Sequence, residues 1–134
     1  MGQVSSVRAG TRVFSGGVWE ERYGYARAVI AGPRVLVSGC TATIDGEVQF
    51  LGDVYKQTVT ALEIAFNAIE IAGLTRQDII MVRYYVVDDR HYDLVGQALA
   101  EALGQVRPAC TGVRVAGLID PQMLVEVEIE AFRE

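Results

Sequence analysis

Apolar residues recur along this chain in two periods, one helical and one alternating. Tyr55, Val59, Leu62, Phe66 and Ile69 follow one another at steps of four, three, four and three. That spacing is one face of an α-helix, and Ala61, Ala65, Ala68 and Ala72 widen it. Asp53 suits the N-cap, where its carboxylate accepts a free backbone N–H. Gly73 suits the position just past the end, where the chain turns left-handed. The predicted helix runs over 53–72. A second stripe, Tyr92, Val95, Leu99 and Ala102 or Leu103, predicts a helix that Asp88-Asp89 caps and Gly104 stops.

The other period is that of strands. Residues 79–87, Ile-Ile-Met-Val-Arg-Tyr-Tyr-Val-Val, are almost continuously apolar, which predicts a central strand covered on both faces. Tyr25–Ala31 and Arg34–Ser38 flank Gly32-Pro33 and read as a hairpin. Asp45-Gly46 marks a further turn. Thr111–Ala116 is a strand candidate. Leu124–Phe132 is a clearer one, with Val125, Val127, Ile129 and Ala131 on one face and Glu126, Glu128 and Glu130 on the other. Residues 1–24 show no period and read as an arm with one short strand near Arg12–Phe14. Strand, helix and strand in succession imply a crossover unit. The expected architecture is α/β: a mixed sheet with two helices packed on one face, in a single domain over residues 1–134.

Composition narrows the function classes. The hydrophobic class makes up 51% of the 134 residues, and mean hydropathy is +0.24. Both exclude a disordered chain. They are high for a small monomer, so part of the surface is expected to be buried against copies of the same chain. Twelve basic residues against seventeen acidic ones give a net charge of −5. Nucleic acid is repelled by that balance, and no Lys/Arg cluster offsets it. No run approaches the ~18 apolar residues of a membrane span, and the two cysteines fit neither a disulfide framework nor a zinc site. A reducing, cytoplasmic location is expected. Met1-Gly2-Gln3-Val4-Ser5-Ser6 fits the short myristoylation pattern, which chance matches readily; an ordinary N-terminus is expected.

Few residues suggest chemistry. The glutamate row reads first as a solvated strand face. Arg83 and Arg114 alternate in the same way in their own strands, so cross-strand Arg–Glu pairs are expected on the uncovered side. With Met81 and Tyr85 beside them, that face resembles a subunit interface, where ligand clefts form. A carboxylate partly desolvated there could act as a general base. His91 is the only histidine, so a His-based metal site is excluded, and it is expected at the surface. Phe14-Ser15-Gly16-Gly17 lacks the Lys-Ser/Thr of a phosphate loop and reads as a turn. Cys110, after Pro108-Ala109, reads as a small buried residue.

Several blocks occur in a recognisable order: Val35-Leu36-Val37-Ser38-Gly39; Gly46-Glu47 with Gly52-Asp53-Val54 and Gln57-Thr58; Asn67 through Ala72-Gly73-Leu74, then Asp78-Ile79-Ile80; Arg107-Pro108-Ala109; and Val125 through Ala131. Over about residues 22–132 the chain resembles the Rid family, also called YjgF or RidA proteins and labelled endoribonuclease L-PSP. The resemblance implies a chorismate-mutase-like fold and a homotrimer with small-molecule sites between subunits. It implies hydrolysis of enamines and imines without metal or cofactor. A non-catalytic ligand-binding trimer is the alternative, and an endoribonuclease or translation inhibitor a weaker one.

The resemblance carries the family site over only in part. Tyr25 matches a tyrosine bordering the pocket, and Glu128 the glutamate that orients the attacking water. Cys110 falls where the family's deaminases hold a substrate carboxylate with arginine; a thiol offers no bidentate clamp. Arg22-Tyr23-Gly24-Tyr25-Ala26-Arg27-Ala28-Val29 resembles a branch that lacks this arginine. Either the ligand has no carboxylate or another cation substitutes, and Arg27, two residues after Tyr25, is the local candidate. Arg27, Cys110 and Thr111 are therefore the expected ligand-binding residues, with Tyr25 and Glu128 catalytic.

Overall fold

The computed structural model describes residues 3–7 and 10–134; Met1 and Gly2 of the myristoylation-like pattern lie outside them. The strands among the described residues are β1 (Gln3–Val7), β2 (Gly10–Phe14), β3 (Ala28–Ala31), β4 (Arg34–Cys40), β5 (Thr43–Ile44), β6 (Glu47–Val48), β7 (Ile79–Val86), β8 (Ala109–Arg114) and β9 (Val125–Phe132). The α-helices are α1 (Val18–Tyr23), α2 (Val54–Ile71) and α3 (Tyr92–Leu103), and none of them is long and apolar enough to cross a membrane. Seven strands form one mixed sheet in the order β1-β2-β3-β4-β9-β7-β8, and β5 and β6 pair separately around the Asp45-Gly46 turn. β7 and β8 are parallel, joined by α3 as a crossover, and the other neighbours are antiparallel.

The helix α2 ends where its sequence says. Asp53 Oδ1 accepts the Lys56 N–H at 2.9 Å, and Gly73 turns at φ 88°. Its buried face differs in the first two turns, where Val54, Gln57 and Thr58 are buried in place of the half-buried Tyr55 and Val59. Gln57 can be buried because its amide is satisfied. Its Nε2 donates to the Phe50 and Gln122 carbonyls at 3.2 and 3.1 Å, and its Oε1 accepts the Leu124 N–H at 2.9 Å. This clamp holds α2 against the start of β9. The core then lies between α2, α3 and one sheet face, through Leu62, Phe66, Ile69, Val82, Val95 and Val127 among others.

Three expectations need correction. The N-terminal arm contains two strands and the helix α1; six residues between Gly17 and Gly24 are too few to show a period. β7 is central but covered on one face only. Val82 and Val86 enter the core, whereas Arg83 and Tyr85 stay half-buried on the open side. Its run stays nearly continuously apolar because Met81 and Tyr85 occupy that open face beside Arg83. β8 starts two residues earlier than expected and is an edge strand, so Cys110 is exposed rather than buried.

Candidate functional site

The alternation of β9 places Glu126, Glu128 and Glu130 on the open sheet face. β7 lies antiparallel beside it, with Tyr85 opposite Glu126, Arg83 opposite Glu128 and Met81 opposite Glu130. Arg83 Nη1 is 2.9 Å from Glu130 and 3.8 Å from Glu128. The Tyr85 hydroxyl donates to Glu128, a bond that raises the tyrosine's own pKa. The expected Arg–Glu tiling therefore exists for Arg83. Arg114 does not join it; it pairs with Asp89 at 3.2 Å across the exposed end of the sheet.

Beside this row a groove of about 1160 Å³ opens between α1, α2 and the β4 bulge. Tyr25, Arg27, Gly39 and Glu126 line its floor. Arg27 is nearly buried, and its partners explain how the chain tolerates that. Nε faces Glu20 at 3.4 Å, and Nη1 donates to the Ser38 and Gly39 carbonyls at 3.2 and 2.7 Å and meets Cys40 Sγ at 3.2 Å. Glu20 in turn accepts the Ser15 N–H at 3.0 Å and the Ser15 hydroxyl. One ion pair thus ties α1 to the β4 bulge. The Arg27 guanidinium also lies 5.7 Å from the centre of the Tyr25 ring.

Burial raises the pKa of Glu126; Arg27 pulls it down, and Glu128 pushes it up again. Burial likewise raises Tyr25, with Arg27 opposing, and raises the enclosed Cys40 thiol. Such shifts arise where charged groups lose water beside one another. Gly39 is required by this arrangement. A Cβ there would stand 2.6 Å from Glu126 Oε2, so a side chain would displace the carboxylate.

The structure brings Tyr25 and Arg27 together, with Glu128 two residues from Glu126 along the same face. Cys110 and Thr111 are elsewhere. Cys110 pairs in register with Val82 and so stands on the helix side, in a shallow pocket with Leu103 and Pro108. Thr111 pairs with Arg83 and stands on the open face. Sequence reasoning missed Glu20, Gly39 and the Tyr85–Glu128 pairing, and it ranked Glu128 above Glu126. A parity signal did exist for Tyr85, which alternates with Arg83. No signal marks Glu20, in so short a helix. His91 lies half-buried before α3, away from these groups.

Comparison with known proteins agrees with the order of sequence blocks. The profile of the family described as Endoribonuclease L-PSP matches residues 20–133. An uncharacterised protein of Streptomyces coelicolor is 44% identical over 122 residues, 91% of either chain. Among solved structures, a Mycobacterium tuberculosis member of the YjgF/YER057c/UK114 family superposes with a TM-score of 0.81 at 38% identity, covering 90% of this chain and 96% of its own. Escherichia coli TdcF, solved with bound serine, superposes with a TM-score of 0.75 at 25% identity, covering 82% and 88%.

Proposed function

This chain belongs to the endoribonuclease L-PSP family, the YjgF or Rid group, and from that membership we propose that it hydrolyses an imine to a carbonyl compound and ammonia. The observation that carries the reading is the setting of Glu128. Its side chain is one-third exposed, held by the Tyr85 hydroxyl, and adjacent to the groove floored by Tyr25, Arg27 and Glu126. A carboxylate oriented in this way can accept a proton from water. The water oxygen bonds to the imine carbon as the C=N π pair moves to nitrogen. Protonation of that nitrogen through Glu128 then lets the C–N bond break and the carbonyl form. Water is the only co-reactant, so no electrons are exchanged with a redox partner. Tyr25 borders the substrate, and Tyr85 and Arg83 fix the carboxylate.

The reading includes assembly. Leu36 and Val113 are exposed on the open sheet face, beside the half-buried Met81. Covering that face with two further copies would dry the glutamate row and close the groove into an inter-subunit cleft. A homotrimer is the assembly proposed. The serine bound by TdcF supports a small-molecule ligand. It also favours the second reading, a ligand-binding trimer without chemistry. The RNA-directed activity in the family name finds no support in the net charge of −5 or in any Lys/Arg cluster of the sequence.

The test generates imines in situ with an amine oxidase or an amino-acid oxidase and follows the carbonyl product against the uncatalysed rate. Acceleration by the unmodified chain, lost in Glu128→Gln at an unchanged melting temperature, is the expected result. No acceleration with any imine overturns the reading in favour of ligand binding alone, and full activity in Glu128→Gln removes Glu128 from the chemistry.

A further inference from the structure

We infer that the groove selects a cationic amine or iminium ligand that carries no carboxylate. This specifies the substrate class of the site proposed above and takes its chemistry from that reading, but it stands on the charges that line the groove.

Four carboxylates line it, Glu20, Asp45, Glu63 and Glu126, against one guanidinium, Arg27. That guanidinium is already committed. A bidentate carboxylate clamp needs two adjacent N–H groups on one edge of the guanidinium. Each edge includes either Nε or Nη1. Nε is engaged by Glu20, and Nη1 by two carbonyls and the Cys40 sulfur. A ligand carboxylate would have to displace Glu20 from a nearly buried pair, or accept a single N–H while facing Glu126.

The remaining acids are not neutralised in the same way. Among the described residues, no arginine, lysine or histidine nitrogen lies within 4 Å of a carboxylate oxygen of Asp45, Glu63 or Glu126. Glu126, half-buried at the groove floor, makes no ion pair of the kind that Glu20 and Glu130 each make; the Arg27 charge reaches it, but that guanidinium is paired with Glu20. A ligand ammonium or iminium supplies such a partner. The groove wall also presents aromatic rings, Trp19, Tyr23 and Tyr25. These rings already attract guanidinium groups, Arg22 at 5.3 Å from Trp19 and 5.9 Å from Tyr23, and such faces favour cations. In the reaction, one iminium cation and one water then give one neutral carbonyl compound and one ammonium ion. The reacting species carry a single positive charge at the start and at the end, in addition to the paired Arg27.

The test is a binding measurement that needs no turnover. The isotope-labelled full chain is titrated with n-butylammonium and with valerate, which share a four-carbon tail and differ in charge. The amide resonances of Tyr25, Gly39 and Glu126 are followed. Butylammonium is expected to shift them with about tenfold or better preference over valerate, a gap of the size two opposed charges produce in a partly desolvated cleft. Glu126→Gln should erase most of that preference, and Glu63→Gln, at an exposed position, should reduce it without disturbing the fold. Equal or tighter valerate binding overturns the inference. Absence of shifts at these amides with either probe also overturns it. The outcomes separate from those of the hydrolase reading. Ammonium binding without imine turnover leaves the charge selection standing and removes catalysis, whereas turnover with valerate preference does the reverse.

Discussion

Gly39 passes directly beneath Glu126, so closely that a Cβ on the glycine would stand 2.6 Å from Oε2 and 2.7 Å from Cδ of the carboxylate. The same glycine's carbonyl receives Arg27 Nη1 at 2.7 Å. One backbone position therefore sets both charged groups at the groove floor. Gly39 has no left-handed backbone requirement, so alanine costs no conformational strain there. Gly39→Ala should remain folded, close to the original melting temperature, while the Glu126 side chain swings away. The expected functional result is loss of imine turnover or of ammonium binding. Thermal melts by circular dichroism, paired with the titration, check it; unchanged binding would show that the Glu126 position does not matter.

Glu126 also makes a pH prediction. Its pKa is raised in the folded chain, chiefly by burial. The folded state then holds its proton at pH values where the unfolded state has released it. Stability is full below the ordinary carboxylate range and falls as pH rises through the raised value. Glu126→Gln removes the ionisation and should stabilise the chain at neutral pH. The gain should disappear near about pH 3.5, where the original carboxyl is mostly protonated in both states. Urea melts at the two pH values decide it. A gain of equal size at both would mean that the amide packs better for reasons unrelated to charge.

The Arg27–Glu20 pair predicts the opposite sign. Both side chains are nearly enclosed, and removing one partner leaves a charge without compensation. Glu20→Ala should cost about 3–5 kcal/mol. It should also release α1, because the Ser15 bonds are lost with it. The double variant Glu20→Leu with Arg27→Met should recover much of that loss, since an apolar pair of similar volume needs no counter-charge. Denaturant melts of the three proteins test this, and a double variant no better than Glu20→Ala would refute the charge argument.

Asp53 offers a control remote from the groove. Its carboxylate caps α2 through the Lys56 N–H at 2.9 Å. Asp53→Ala should cost about 0.5–2 kcal/mol while leaving ligand titration unchanged. Altered binding would place the start of α2 within the site.

The elements legible in the sequence are those with length and punctuation. The helix α2 carries a long apolar stripe between an acid cap and a glycine, and β9 alternates without interruption over Val125–Phe132. β7 was legible as a strand but not as a half-covered one, because apolarity does not distinguish a helix-packed face from one that carries Met81 and Tyr85 half-buried without a covering layer. α1 was illegible at six residues, and Glu20 with it. Tyr25 and Glu128 were singled out through family resemblance, and Arg27 through its parity with Tyr25. Glu126 and Gly39 come together only in three dimensions, when the β4 bulge brings strand backbone under a carboxylate from its neighbour.

The same register decides what a variant at Cys110 would do. Residue 110 lies beside Val82, on the helix side of the sheet. Glu128 occupies the open side, opposite Arg83. An arginine at that position therefore points away from Glu128 of its own chain, and only a neighbouring copy can bring the two groups to one substrate. The unmodified chain should hydrolyse 2-iminobutyrate poorly, since its groove holds no free carboxylate clamp. Cys110→Arg should raise that rate only in the assembled protein, because an oriented guanidinium fixes the substrate against the partner copy's carboxylate. Sedimentation at micromolar concentration is expected to give three chains per particle, and the rate gained should fall per chain as dilution dissociates them. Adding Glu128→Gln to Cys110→Arg should abolish the gain, since an amide cannot accept the proton from water. A gain that persists per chain in a clean monomer would refute the shared site, and a gain that survives loss of Glu128 would remove that residue from the chemistry.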